Sequence, residues 1–316
     1  MPLFRRSQMN DSKRAKRKEE AEEAEEQGNN RPRLVFHCQQ AQGSPTGIIS
    51  GFSNVKELYQ KIAECYDFPP SEILFCTLNT HKIDMTKLLG GQIGLEDFIF
   101  AHRKGRPKEI TITKSEDSLG LTITDNGNGL SFIKRIKEGS IIDKIEYIQV
   151  GDHIEKIDSV NLVGRRHFEV AKMLKEIPMG STFMIRLVEP IKAGFINIDA
   201  RGNHKSRKKG YGSGKETLRF KANGQAQIVE EPDKEMLMGI ESINKNLENF
   251  MGINDNELAT RIWEAAEGKS NSMDFAEAID SSDLADFGFS DDMIIEMWGA
   301  VTDARAGRKP PNHDRN

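Results

Sequence analysis

The turn Ser118-Leu119-Gly120-Leu121, which runs directly into Thr122-Ile123-Thr124, is the feature that most constrains this chain. A glycine between apolar residues at the start of a short strand leaves successive main-chain N–H groups converging on one point, and such a nest suits a carboxylate. Glycine is needed there because a Cβ would obstruct the approach of the carboxylate. If the strand beyond the turn is a free sheet edge, the site reads the C-terminus of another protein. The motif therefore predicts a binding adaptor rather than an enzyme.

The residues around this turn, 106–189, carry strand and helix signals in a fixed order. Alternating apolar and polar residues predict the strands, and Val170 with Leu174 lies at helical spacing in a segment that Pro178 closes. The expected order is strands at 109–113, 121–124 and 131–136, a helical turn at 140–143, a turn and strand at 150–157, a helix at 165–177 and a strand at 182–187. This order resembles a PDZ domain over its whole length. The resemblance implies a partly open β-barrel with two helices.

The turn and the strand after it predict how a peptide would bind. The main-chain N–H groups of Leu119, Gly120 and Leu121 are expected to donate to the carboxylate. Lys114 stands where the PDZ family commonly has a basic residue that supports the carboxylate, directly or through water. The peptide backbone is expected to pair with residues 121–124 as an added strand. The residues expected to form the groove and set its specificity are Thr122, Ile123, Thr124, His167, Ala171 and Leu174.

His167 carries the predicted specificity of this groove. It matches the first position of the peptide-facing helix of PDZ domains, so the resemblance implies a hydrogen bond to a Ser or Thr hydroxyl two residues before the ligand's end. The implied preference is class I, Ser/Thr-Xaa-apolar, and Ala171 one turn further on keeps the groove open. We expect the imidazole of His167 to face solvent and to be unpaired. The terminal side chain of the ligand is expected in a pocket lined by Leu119, Leu121, Ile123 and Leu174.

Composition narrows the other classes of function. The chain has 316 residues, of which 37% are hydrophobic and 30% charged, and this predicts two or three small folded units with solvated connectors. Cys38, Cys65 and Cys76 lack the paired spacing of a zinc site, which predicts reduced thiols in a cytosolic protein. No apolar run approaches the roughly 20 residues that span a bilayer, so membrane association is expected to be indirect. Without a nucleophile–base pair or metal cluster, no catalytic residue, metal or cofactor is expected.

Residues 33–104 predict a first folded unit. A hairpin at 34–52 precedes a helix at 54–66, in which Val55, Leu58 and Ile62 recur at helical spacing, and strands follow at 73–78 and 98–101. Hairpin, helix and further strands is the order of a β-grasp, ubiquitin-like fold. The predicted role of this unit is protein contact, including self-association.

The remaining segments predict tails, a linker and a helical bundle. Residues 1–32 are highly charged with almost nothing apolar to bury, which predicts a disordered tail, and 307–316 is expected to be a second one. Residues 190–232 are basic and glycine-rich, which predicts a flexible linker with a hairpin at 217–229. Four amphipathic stretches at 233–306, one of them with a start signal at Asn254, predict an acidic α-helical bundle suited to a basic partner. The whole is a multidomain α+β protein.

Taken together, the three units resemble the GIPC (synectin) family of PDZ adaptors, and the chain is identified as a divergent, animal member distant from the vertebrate forms. The match covers about residues 33–305 and weakens in the last unit. The residues that carry the resemblance are Arg33-Leu34-Val35-Phe36-His37, the segments 51–59, 76–85 and 88–102, Ser115-Glu116-Asp117-Ser118-Leu119-Gly120-Leu121, and Phe132-Ile133-Lys134-Arg135-Ile136.

The resemblance implies a cytoplasmic scaffold, peripherally associated with endocytic vesicles and membranes. It implies that the PDZ groove binds class I tails of transmembrane receptors, that the helical unit engages myosin VI, and that the first unit forms a homodimer. It also implies autoinhibition, in which the acidic bundle packs on a PDZ domain of a dimer until a tail binds. A different class stays open: a nucleic-acid or anionic-lipid binder driven by the basic linker, although the net charge of -4 argues against nucleic acid as the partner of the whole chain.

Overall fold

The structure is a computed structural model that describes residues 34–192, 216–220, 226–230 and 234–308. The predicted tail at 1–32, nearly all of the tail at 307–316 and most of the linker at 190–232 lie outside these residues. The described residues from Phe36 onward belong to one compact unit. Among the described residues, no helix combines the length and the apolar character that a membrane crossing requires.

The amino-terminal part has the predicted order of a hairpin, a helix and further strands. Strands β1 (Val35–Gln40) and β2 (Gly47–Ser50) precede helix α1 (Val55–Tyr66), which Asn54 caps by accepting a hydrogen bond from the N–H of Glu57. Strand β1 pairs in parallel with the later strand β5, and β3 pairs with β5 in antiparallel fashion. The comparison with a β-grasp stays a prediction. The remaining strands of this part are β3 (Ile73–Leu78), β4 (Gln92–Gly94) and the first half of β5 (Phe98–Thr113).

Strand β5 continues without a break from the amino-terminal part into the PDZ-like part, whereas the sequence predicts two strands separated near residue 105. Its second half pairs with β10 (Thr182–Pro190), whose register shifts between Val188 and Pro190, opposite the stretch that contains Pro107. A shift of this kind accommodates a proline, which has no N–H to donate to the ladder. The charged stretch around Lys104 forms a strand through pairing with distant parts of the chain, β3 and β10. Local sequence patterns do not show such pairing.

The PDZ-like part completes a nine-stranded sheet in the order β2-β1-β5-β10-β8-β7-β6, with β3 on β5 and β9 on β8. Helix α2 lies beside β6, the last strand in this order. Ile123, Val170 and Phe183 belong to the hydrophobic core of the PDZ-like part. The space between β6 and α2 is the predicted peptide groove. Its elements are β6 (Leu121–Asp125), β7 (Ser131–Ile136), β8 (His153–Ile157), β9 (Val160–Asn161) and α2 (His167–Glu176).

The carboxy-terminal part begins with a hairpin and continues as helices. Strands β11 (Glu216–Phe220) and β12 (Ala226–Glu230) pair as the sequence predicts, and β11 also pairs with β4 of the amino-terminal part. The hairpin is therefore docked on the first unit rather than confined to a linker. The α-helices that follow are α3 (Lys234–Met251), α4 (Asn256–Ala265), α5 (Ser272–Asp280) and α6 (Asp291–Arg305).

Helices α3 and α4 approach each other closely at Gly239. A Cβ on Gly239 would lie 2.0 Å from Cζ3 of Trp263, a side chain that is itself buried. The indole ring therefore occupies the space that any other residue at 239 would need. Gly299 in α6 is the counterexample, since a Cβ there would meet nothing within 4 Å.

We expect Gly239→Ala to lower the free energy of unfolding by about 1–3 kcal/mol, because the added methyl forces the indole of Trp263 to move. Gly299→Ala is the matched control, and we expect it to raise stability by about 0.5–1 kcal/mol through helix propensity alone. Urea denaturation of the two variants and the wild type measures both values. Equal effects of the two substitutions would contradict the proposed helix contact.

Candidate peptide-binding site

The groove between β6 and α2 brings most of the predicted site residues together. At one end it contains a cavity of about 510 Å³. Thr124 is buried on β6, and His167 lies at the other end, beside a second cavity of about 330 Å³. Their contacts with a ligand stay predictions. The predicted residues that line the first cavity are Lys114, Leu119, Gly120, Leu121, Thr122, Ile123, Ala171 and Leu174.

Gly120 has a steric reason to be glycine that the sequence does not reveal. Its φ is +79°, and a Cβ would lie 2.2 Å from the Cβ of Ser140. Its carbonyl oxygen accepts a hydrogen bond from the N–H of Lys137 at 2.8 Å, and its own N–H donates to Oγ of Ser118 at 3.2 Å. The turn is thus held against the following loop, and the Ser118 hydroxyl lies at the nest where we predict the carboxylate.

Lys114 is buried and its ammonium group binds the end of helix α2. The Nζ atom donates to the carbonyl oxygens of Ile177 at 2.7 Å, Lys175 at 2.8 Å and Leu174 at 3.4 Å. Carbonyl groups at the C-terminal end of a helix carry partial negative charge and lack helical partners, so a cation stabilises them. Lys114 therefore fixes the position of α2 along the groove, and its support of a ligand carboxylate stays a prediction.

The edge of β6 is paired with a segment of the same chain. Residues 252–254, which we call the closing segment, connect α3 to α4. The N–H of Ile123 donates to the carbonyl oxygen of Gly252 at 3.0 Å, and the N–H of Asn254 donates to the carbonyl oxygen of Ile123 at 3.1 Å. Ile253 lies opposite Ile123 in a parallel bridge and is fully buried. The closing segment therefore uses both main-chain hydrogen-bonding groups of Ile123.

Polar side chains hold the closing segment on the PDZ-like part. Arg135 of β7 forms a 2.9 Å ion pair with Glu248 of α3, and Glu248 also accepts a 2.7 Å hydrogen bond from the amide of Asn254. Lys134 donates to the side-chain and main-chain oxygens of Asn254. Burial of its ammonium group lowers the pKa of Lys134 to about 8, although the charge of Asp255 opposes this shift. The contact between the two parts is thus built on charged and amide groups as well as on Ile253.

His167 lies between two carboxylates at the other end of the groove. Its Nδ1 is 2.6 Å from Oδ2 of Asp125, the last residue of β6, and its Nε2 is 3.5 Å from Oδ2 of Asp255. Asp255 follows the closing segment directly and caps α4 by accepting hydrogen bonds from the N–H groups of Glu257 and Leu258. The imidazole therefore connects the PDZ-like part to the start of a helix of the carboxy-terminal part.

The two carboxylates decide the protonation of this imidazole. Burial opposes the charged ring, but the hydrogen bond and charge of Asp125, together with the charge of Asp255, raise the pKa of His167 above its usual value. Burial likewise opposes ionisation of Asp125, but the hydrogen bond and charge of His167 lower the pKa of that carboxyl group. Burial and the charge of Asp255 raise the pKa of Glu257 nearby. The closed groove therefore favours an imidazolium between two carboxylates.

Two sequence predictions need correction at this point. His167 is only 3% exposed and is paired, whereas we expect a solvent-facing, unpaired ring from the sequence. Asp255 rather than Asn254 caps α4, because the side chain of Asn254 binds Lys134 and Glu248. The main-chain N–H of Asn254 donates to the carbonyl oxygen of Ile123. The pairing of His167 with Asp125 lies within the PDZ-like part, whereas its approach to Asp255 and the change of cap arise from the docking of the closing segment. No sequence signal joins Asp125 with Asp255, which lie far apart in the chain.

Comparison with known proteins identifies the family. The family models for the GIPC1-3 GH1 domain, the PDZ domain and the GIPC1-3 GH2 domain match residues 35–101, 109–186 and 214–304. The chain is 54% identical over 279 residues to the PDZ domain-containing protein GIPC1 of Rattus norvegicus, covering 88% of this chain and 84% of the relative. The chain belongs to the GIPC family. This confirms the resemblance seen in the sequence, and it makes the protein a PDZ adaptor rather than an enzyme.

Further relatives agree with this assignment. The PDZ domain-containing protein GIPC3 of Mus musculus is 52% identical over 275 residues, covering 87% of this chain and 92% of the relative. Among solved structures, the PDZ domain of a choanoflagellate GIPC (mbGIPC) bound to a B1AR peptide is 53% identical. That comparison covers 28% of this chain and 96% of the choanoflagellate domain, with a TM-score of 0.28. In another structure, the choanoflagellate domain is bound to a GAIP peptide.

The raised pKa of His167 predicts a specific pH dependence of stability. A group whose pKa rises on folding contributes stability that is fully present below its ordinary value of 6.5 and is lost as the pH rises through the folded value. We therefore expect the stability advantage of the wild type over His167→Gln to be largest below pH 6.5 and to shrink above it. Urea denaturation over a pH series measures this difference.

His153 provides a control of opposite sign. Its Nδ1 contacts the carbonyl oxygen of Ser131 at 2.7 Å, and burial lowers its pKa. Because the unfolded chain then binds the proton more readily, the advantage of the wild type over His153→Gln should grow as the pH rises toward 6.5. If the stability advantage of the wild type changed with pH in the same direction for both variants, the raised pKa of His167 would be contradicted.

Proposed function

We propose that this GIPC-family protein is a cytoplasmic adaptor whose groove binds C-terminal class I tails, Ser/Thr-Xaa-apolar, of transmembrane receptors. It couples these tails to myosin VI for endocytic trafficking and signalling, and it associates with endocytic vesicles and membranes only through its partners. The observation that carries the proposal is the alignment of the Gly120 turn, the Ile123 edge and His167 along one groove.

Each part of a class I tail has a counterpart in this groove. The terminal carboxylate would accept hydrogen bonds from the N–H groups at the turn. The apolar terminal side chain would enter the cavity beside Leu119 and Leu174. The tail backbone would run antiparallel to β6 and use the N–H and the carbonyl oxygen of Ile123. The residue paired with Ile123 would then direct its side chain toward His167. A hydroxyl at this position would meet the imidazole.

The closing segment supports a regulated adaptor. Because the N–H and the carbonyl oxygen of Ile123 serve one strand at a time, a tail must displace residues 252–254 before it can pair with β6. The apparent affinity of the tail is then reduced by the fraction of molecules whose groove is open. Tail binding would release the start of α4 and the end of α3 from the PDZ-like part. This closing contact lies within one chain, whereas the autoinhibition predicted from the sequence acts within a dimer.

Features outside the groove support the other two contacts that we propose. Helix α6 presents Ile295, which is 60% exposed, next to Asp292 and Glu296, and this combination suits a basic amphipathic segment of a motor protein. Strand β2 lies at the edge of the nine-stranded sheet with Ile48 65% exposed, which suits self-association of the first domain into a homodimer.

A peptide array tests the class I assignment. We expect tails that end in Ser/Thr-Xaa-apolar to be enriched, and His167→Ala to weaken their binding by about tenfold, the value of one lost hydrogen bond. His81→Ala is the control, because His81 lies in the first domain, where it contacts Phe100. Binding of class I tails that is unchanged by His167→Ala would refute the assignment.

A charge reversal on α3 tests the proposed closure without substituting a residue of β6 or α2. We expect Glu248→Arg to increase tail affinity several-fold, because it replaces the ion pair with Arg135 by a repulsion and removes the contact with Asn254. Fluorescence anisotropy with a labelled class I peptide measures the gain. The control Glu241→Arg lies on the exposed face of the same helix and should change nothing.

The same variants test the coupling to the motor. We expect the myosin VI cargo-binding region to bind more tightly in the presence of a saturating tail peptide, and to bind Glu248→Arg more tightly even without the peptide. The double variant Arg135→Glu/Glu248→Arg restores opposite charges and should reduce this gain. Motor binding that is the same with and without the peptide would rule out the proposed coupling.

A further inference from the structure

The ring nitrogen of His167 that faces the groove is buried beside a carboxylate. Nε2 has no hydrogen-bond partner in the described structure, and Oδ2 of Asp255 lies 3.5 Å away. The acidic groups around the ring are Asp125 from β6 and Asp255 and Glu257 from the start of α4. The cationic groups that line the same cavity are Arg165 and Arg166 before α2 and Arg261 of α4. The chain itself therefore places a carboxylate oxygen, rather than a hydroxyl, beside Nε2 of His167, the atom that we expect to contact the ligand.

The partner of Nδ1 determines which groups Nε2 can bind. Because Asp125 accepts the proton of Nδ1, a neutral imidazole leaves a lone pair on Nε2, which suits a hydroxyl donor. A protonated imidazole carries a proton on Nε2 as well, which suits an anionic acceptor. The ring can thus recognise two kinds of side chain, and its protonation selects between them.

We propose that this groove accepts an acidic side chain, Asp or Glu, at the third residue from the end of a tail, in addition to Ser or Thr. The positioning residue is Asp125, which holds the imidazole and stabilises its protonated form. The inference rests on the proposed function and extends the class of tails that the same site takes.

The path of the chain through the closing segment supports this inference. Ile253 lies opposite Ile123, the position that the third residue from the end of a tail would take. Asp255 is two residues further on, and its extended backbone, with φ −142° and ψ 108°, directs alternate side chains to the same side. Its carboxylate reaches Nε2 from that side. The closing segment runs parallel to β6, whereas a tail would run antiparallel. The feature that the closing segment and an acidic tail have in common is therefore a carboxylate oxygen beside Nε2 of His167, not the direction of the backbone.

The charge balance of an opened groove also favours an acidic ligand. Asp255 and Glu257 belong to the carboxy-terminal part and leave together when the closing segment is displaced. Arg165 and Arg166, which line the cavity beside His167, stay with the groove. Opening therefore removes two carboxylates and one cation, Arg261, while Arg165, Arg166 and the imidazole remain. An acidic side chain of the ligand replaces the lost negative charge.

Three peptides that differ only at the third residue from the end, Ser, Asp or Ala, test the proposal on the full-length chain. At pH 6 we expect the Asp peptide to bind at least about fivefold more tightly than the Ala peptide, as for a charge-assisted hydrogen bond. The ratio of Asp to Ser affinity should fall by about fivefold between pH 6 and pH 8, as the imidazole loses its proton. Because both peptides displace the same closing segment, this ratio is independent of the pH dependence of closure.

Two substitutions sharpen the test. Asp125→Asn keeps an oxygen for Nδ1 but removes the charge, so we expect the ratio of Asp to Ser affinity at pH 7 to fall by about threefold or more and to lose its pH dependence. Asp158→Asn is the matched control, since Asp158 accepts a hydrogen bond from Met184 in a turn away from the groove.

The outcomes separate this proposal from the proposed function. An Asp peptide that binds no better than the Ala peptide at both pH values overturns the acidic specificity, while tight binding of the Ser peptide keeps the class I assignment. If the Asp peptide binds and the Ser peptide does not, the acidic specificity holds and the class I assignment fails. An unchanged ratio in Asp125→Asn overturns the role of Asp125.

Discussion

The N–H and the carbonyl oxygen of Ile123 can serve only one added strand at a time, and the rest of the structure is arranged around this limit. Buried main-chain groups without partners are costly, so the edge of β6 needs an occupant wherever it is shielded from water. In the structure that occupant is the closing segment, through Gly252 and Asn254. A tail offers the same two hydrogen bonds to Ile123. Whether a tail replaces the closing segment therefore depends on the side chains that each places at the two ends of the groove.

The contacts on either side of Ile123 differ in kind. Toward the Gly120 turn the groove keeps a cavity of about 510 Å³, lined by apolar and charged side chains of both parts of the protein. Toward Asp125 the contacts are ionic, and His167 is enclosed by carboxylates of both parts. The charge of the buried imidazole in the groove responds to both pH and neighbouring charges. The end of the groove at His167 is therefore where closure and ligand choice are coupled.

One continuous strand and one strand pairing join the three domains. Strand β5 belongs to both the GH1 and the PDZ regions, and β11 of the GH2 region adds a strand to β4 of the GH1 region. Main-chain pairing of this kind fixes the domains more rigidly than a flexible linker would. The PDZ groove thus faces the α3–α4 connection in a defined orientation, which lets three residues close it.

The sequence alone determined the PDZ motif, most of the order of strands and helices, the hairpin at 217–229 and the family, because these follow from local periodicity, turn residues and short motifs. It did not predict the short strands β4 and β9. It did not reveal that β5 is continuous, that the groove is closed, or that Asp125 and Asp255 flank His167. Each of these depends on residues far apart in the chain: Lys104 with Pro190, Ile123 with Ile253, His167 with Asp255. Main-chain pairing between distant strands leaves no periodic signal in either partner, and the protonation of an imidazole is set by burial and neighbouring charges. Only the tertiary structure decides such contacts.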